Sequence, residues 1–292
     1  MKLPDGKRIS LNAYRAMFTA APAPESGVTA VDEIIAGRKG LIRVRRYLPE
    51  RRAANDGAEP AIMYLHGGGW VAGSLDSHDR ICRDLTGETG AQTVAIDYRL
   101  APEHPFPAAF EDATDAFAIM QHKAAAWGLD PRRIALMGEG SGATLAAITA
   151  IHAREMCMTL PFAQLLLYPL VDMTAADDSG TSENAGLAFA AWFRAQYLRN
   201  GGDVVDWRVS PLYAESLAGL PPAFVATTGV DRLGRDSIAY ARRLSANGGT
   251  AEIFQPEAPL RDIPIIRDGQ SAMMQAAFDF LKARLTLPPV TV

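Results

Sequence analysis

Apolar residues gather into short runs of strand length at Leu41 to Leu48, Ala61 to Leu65, Thr93 to Ile96, Arg133 to Met137, Leu165 to Leu170 and Phe224 to Thr228. Between them lie segments long enough for helices. The spacing predicts helices over Asp79 to Thr89, Ala108 to Trp127, Ser141 to Arg154, Ser237 to Asn247 and Ser271 to Leu285, the fourth closed by Gly248-Gly249. Strands buried on both faces and alternating with helices form a mostly parallel, doubly wound α/β sheet with helices on either side. Two stretches break the rhythm: residues 1 to about 25, and a polar then aromatic segment that starts near 175 and runs to about 205. Insertions at the carboxyl ends of strands commonly cover pockets, so both are expected to form a helical cap over a single domain spanning residues 1–292.

Composition narrows the partners. The apolar share is 48%, enough for a large core, and 29 basic against 33 acidic residues leave a net charge of −4 without a like-charge run. A nucleic-acid partner is therefore not expected, and a small carbonyl- or carboxylate-containing molecule is. Neither a signal-like leader nor some 18 continuous apolar residues occur, so no membrane span and a cytoplasmic location are expected. The two cysteines, Cys82 and Cys157, lie in segments that read as helix and lack metal-ligand spacing. Neither a metal nor a cofactor is expected.

Chemistry concentrates after two strands. His66-Gly67-Gly68-Gly69-Trp70 follows an apolar run, and successive glycines let backbone N–H groups approach a ligand oxygen. After the next strand comes Asp97-Tyr98-Arg99-Leu100-Ala101-Pro102-Glu103-His104-Pro105. With Ser210-Pro211-Leu212 and Leu220-Pro221-Pro222-Ala223, these blocks closely resemble the hormone-sensitive-lipase family of α/β-hydrolases, from about Val44 to Leu285. The resemblance implies the α/β-hydrolase fold, an oxyanion pocket formed by Gly68, Gly69 and Ser141, and hydrolysis of acyl esters by a serine, acid and histidine triad. Family members often pair through edge strands or helices, which makes a homodimer an expectation.

The triad is where the chain departs from the pattern. The family's Gly-Asp-Ser-Ala-Gly-Gly aligns with Gly138-Glu139-Gly140-Ser141-Gly142-Ala143, which places glycine at the nucleophile position, Gly140. The acid position is retained as Asp231, whereas the histidine position falls on Leu260 or Asp262 and the last histidine in the chain is His152. In this fold the order is serine, acid, histidine, so nothing after Asp231 supplies the base. Losing either the nucleophile or the base removes about 10⁶ of the rate. The expected function is accordingly a degenerate relative without serine-esterase activity, doing proton transfer, elimination, cyclisation or isomerisation beside a carbonyl, with Glu139, Asp262, Tyr98 and Asp231 as candidate proton-transfer groups. A small-molecule binding protein and an atypical ester hydrolase are the alternatives. A Gly69→Val change is expected to impair function with little effect on stability.

Overall fold

The computed structural model describes residues 9–19, 27–50, 58–175, 185–199, 203–227, 229, 232–256 and 271–285. Eight strands form one sheet in the order β1-β2-β4-β3-β5-β6-β7-β8. They are β1 (Thr29–Gly37), β2 (Gly40–Leu48), β3 (Glu59–Leu65), β4 (Gln92–Asp97), β5 (Leu129–Glu139), β6 (Gln164–Leu167), β7 (Ala223–Ala226) and β8 (Ala251–Phe254). From β4 to β8 every pairing is parallel, while β2 runs antiparallel to both β1 and β4. The helices are α1 (Leu11–Arg15), α2 (Asp79–Thr89), α3 (Ala108–Trp127), α4 (Ser141–Glu155), α5 (Ala185–Tyr197), α6 (Arg232–Ala246) and α7 (Ala272–Leu285).

Central strands carry apolar side chains on both faces because helices cover both. Ala61, Met63 and Leu65 of β3 join one buried cluster with α3 and α4, while Ile62 and Tyr64 join a second with α2 and α7. This is the α/β-hydrolase architecture expected from the alternation of runs. Two strands escaped the sequence pattern, β1 and β8, both at sheet edges. An edge strand needs no continuous apolar run, and here Ile34 and Ile253 project into solvent. Several bounds also differ, β5 running from Leu129 to Glu139 beyond the expected Arg133 to Met137. β6 stops at Leu167 rather than Leu170 because Tyr168 turns the chain at φ 40°. α6 starts five residues before Ser237, its polar first turn having concealed its amphipathic face. Cys157 lies past the end of α4 in a left-handed conformation, not within a helix.

Both segments expected to form the cap contain a helix. Ser10 caps α1 by accepting from Ala13 N at 3.1 Å. Arg15 at its far end then donates to Val71 O (2.7 Å) and Ala101 O (3.0 Å) and pairs with Glu103 (2.6 Å). Tyr14 of α1 meets the rings of Phe189, Trp192 and Phe193 of α5 with centroids 5.4–6.0 Å apart. These aromatic contacts join the two helices above the carboxyl ends of β3 and β5. Residues 176–184 and 200–202 of the second segment lie outside the described residues.

Candidate active site

The site is built where β3 and β5 end side by side. β5 finishes at Glu139, Gly140 turns the chain at φ 51° and ψ −117°, and α4 begins at Ser141. This is the sharp strand-to-helix corner that presents a nucleophile in α/β-hydrolases. Gly140 N donates to Leu167 O at 2.9 Å, which fixes the corner to the neighbouring strand. A Cβ added to Gly140 would find its nearest neighbour, Tyr168 Cε2, at 3.8 Å. The side-chain position is therefore open.

The glycine loop is pressed onto this corner. A Cβ on Gly142 would collide with the carbonyls of Leu65 and His66, and one on Gly67 would lie 3.0 Å from Glu139 Cγ. Gly68, at φ 114°, accepts from Val71 N and Ala72 N at 3.2 and 3.1 Å, closing a tight turn. Trp70 follows at φ 61° and stacks on Tyr197 of α5, centroids 4.5 Å apart and 7° from parallel. Gly69, at φ 65°, faces Phe193 so closely that a Cβ there would collide with its ring. The expectation that Gly69→Val would spare stability is therefore corrected: that position has neither room nor an L-residue backbone. The loop carrying Gly67 and Gly68 and the corner at Glu139 to Gly142 lie against each other.

The candidate proton-transfer groups have definite partners. Glu139, 2% exposed, receives Tyr64 OH at 2.9 Å and Tyr168 OH at 2.7 Å, and His78 Nε2 lies 2.8 Å away. Burial by itself raises a carboxyl pKa; here the charge and hydrogen bond of His78, with those of the two tyrosines, outweigh it and hold Glu139 below the usual range. Such a carboxylate is a weak base whose oxygens hold the corner together. Tyr98 donates to His66 O at 2.7 Å and stacks on the His66 ring at 4.2 Å, and burial pushes its phenol up. The His66 ring, itself pushed down to about 3 by burial and then by His78, contacts Gly67 O through Nδ1 at 2.8 Å. It braces the loop from behind. Asp231, Leu260 and Asp262 lie outside the described residues.

Sequence reasoning missed two members of this cluster. His78 lies just ahead of the helix read over Asp79 to Thr89, and its ring bridges Ser77 Oγ (2.9 Å from Nδ1) and Glu139. Tyr168 was read as strand. Its left-handed turn before Pro169, which carries the ring back beneath Gly140, has no signature in apolar periodicity. Among the described residues no group of three or more His, Cys, Asp or Glu side chains is arranged to hold a metal ion, and no helix is long and apolar enough to cross a membrane.

A family model described as alpha/beta hydrolase fold matches residues 62–258. The chain is 41% identical over 249 residues to the carboxylic ester hydrolase LipN of Mycobacterium tuberculosis, covering 82% of this chain and 65% of that protein. It is 39% identical over 239 residues to the esterase LipI of the same organism, covering 78% of this chain and 72% of LipI. The chain thus spans slightly less than two thirds of LipN. Among solved structures, a thermostable carboxylesterase cloned from a metagenomic library superposes with a TM-score of 0.83 at 33% identity, covering 96% of this chain and 99% of the other. The hyperthermophilic esterase of the archaeon Pyrobaculum calidifontis gives 0.81 at 33% identity, covering 96% and 95%. These relatives, which are named as ester hydrolases, overturn the expected non-hydrolytic function. On the matched residues, the identities and the superposed sheet, the chain belongs to the α/β-hydrolase fold family, in its hormone-sensitive-lipase-like branch.

Proposed function

We propose that the protein hydrolyses carboxylic esters with water, in place of a serine hydroxyl, as the attacking group. The observation that carries this reading is the juxtaposition of the glycine loop with an elbow whose side-chain position is open at Gly140. An ester carbonyl directed at the N–H groups of Gly68, Gly69 and Ser141 has its developing negative charge stabilised there, and such donors act without a covalent intermediate. The first N–H groups of α4 have no partner within the helix, so Ser141 is suited to this role. Water beside Gly140 adds to the acyl carbon, the bond to the alkoxy oxygen breaks, and the proton released by water ends on the departing alcohol. Asp231, the retained acid position, is the residue we assign to carry that proton.

An oxyanion site and substrate binding without a nucleophile–base pair supply roughly 10³–10⁴ over the uncatalysed rate. The test is initial-rate hydrolysis of short-chain aryl esters by the purified chain, with and without prior exposure to a serine-directed phosphonate. Saturable turnover of that order, unaffected by the phosphonate, is expected. A rate equal to buffer alone overturns the proposal.

A further inference from the structure

A second cleft, of about 330 Å³, opens far from the elbow, among the β1–β2 turn, the middle of α3 and the end of α4. His152, Met156 and Met158 line it, with Asp115 and Arg38 at one side and Ile119 among its apolar walls. His152 is eleven positions after Ser141 along α4, about 16 Å at 1.5 Å per residue. The cleft is thus independent of ester chemistry.

We propose that this cleft binds a soft monovalent cation, Cu(I) or its redox-inert counterpart Ag(I), through the His152 imidazole and the thioether sulfurs of Met156 and Met158. Local backbone geometry brings the three together. His152 and Met156 are four residues apart at the end of α4, with Met156 N bonded to His152 O at 2.9 Å, so their side chains share a face. The chain then reverses. Cys157 adopts φ 51°, Cys157 N donates to Arg154 O at 3.0 Å and Met158 N to Ala153 O at 2.9 Å, the paired bonds of a Schellman turn. That turn returns Met158 to the helix end instead of letting it leave along the surface. Glycine is the usual residue at the left-handed position of such a turn.

The donor set selects the ion. Thioether sulfur is a soft, neutral ligand that suits Cu(I) and is a poor match for Mg²⁺ or Ca²⁺, whose ligands are oxygens. Met156 is 60% exposed, unusual for a side chain whose role is filling a core. Neither nitrogen of the His152 ring is hydrogen-bonded among the described residues, and its one ring contact is edge-on to Phe110 at 5.4 Å. Arg38 and Asp115 form a 2.5 Å ion pair, so the cleft's charges balance. A balanced cleft with neutral ligands accommodates one positive charge more readily than two.

The exposed thiol of Cys157 binds silver in its own right, so the measurement is made on the Cys157→Ser chain. Ag(I) is titrated into that protein labelled with ¹³C at the methionine methyl groups. Expected are one equivalent bound, shifts of the Met156 and Met158 methyl signals with Met17 unmoved, and at least tenfold weaker binding in the Met156→Leu/Met158→Leu variant and in His152→Asn. Leucine conserves volume, so folding is retained and checked by the melting temperature. Loss of all silver binding on Cys157→Ser, or unchanged affinity in the double-leucine variant, overturns the proposal.

Discussion

Gly140 is the residue at which sequence and geometry make the sharpest demand on each other. Its φ of 51° and ψ of −117° lie where residues with a Cβ are strained, yet the nearest atom to an added Cβ is 3.8 Å away, an ordinary contact. Gly140→Ala and Gly140→Ser thus incur a backbone cost and no steric one. Strained positions of this kind cost about 1–3 kcal/mol. Each kcal/mol lowers Tm by roughly 2–4 °C in chains slightly smaller than this one. Thermal unfolding should therefore show both variants less stable than the parent by several degrees, and within about 0.5 kcal/mol of one another. The serine hydroxyl should remain a poor nucleophile, because no histidine follows Asp231 in the chain to relay its proton as the triad order requires. Equal or raised Tm in both variants would refute the claim of strain at the corner. A burst of aryl alcohol or a phosphonate adduct in Gly140→Ser would refute the claim that a serine there goes unactivated without a triad histidine.

Glu139→Gln should destabilise the fold by about 3–5 kcal/mol in urea unfolding, since it removes one side of a buried pair and leaves His78 uncompensated; Tyr64→Phe, which removes one hydrogen bond to that carboxylate, should cost about 1.5–3 kcal/mol. Gly69→Val should lower Tm and ester turnover together, and adding Phe193→Ala should recover part of the stability but not the cost of φ 65°. His66, with His78, Tyr98 and Glu139 around it, has a folded pKa of about 3 against an ordinary value near 6.5. The unfolded chain accordingly binds the extra proton first, and stability falls as pH drops from 6.5 toward 3, by about 2 kcal/mol at pH 5. His66→Gln should flatten that part of the curve in denaturant melts across pH 4–7.

Much of the fold could be read directly because central elements are uniformly apolar or sharply bounded. The bounds of α2 and α3 coincide with their periodic runs, each stopped by a left-handed glycine, Gly90 and Gly128. β1 and β8 could not be read, because strands that face solvent at an edge do not need the pattern by which central strands are found. At the site, the glycine loop was legible from its place after a strand, and the corner from the resemblance to the family's elbow motif. The cluster around Glu139 was not: Tyr64 and Tyr168 are 75 and 29 positions away, and only the sheet order brings them onto one carboxylate. The non-hydrolytic function was inferred from two missing side chains, at Gly140 and after Asp231, and the relatives named as esterases overturn it.

The contact between Phe193 and Gly69 makes the two halves of the pocket a matched pair. Since the ring occupies the volume that any side chain at position 69 would need, the loop can carry only glycine while α5 keeps an aromatic residue at that place. An α5 segment transplanted from a relative with a different residue there would leave a gap over the loop or a clash against it. In this chain α5 and the glycine loop are thus not interchangeable modules. Exchange has to proceed in concert with the loop below.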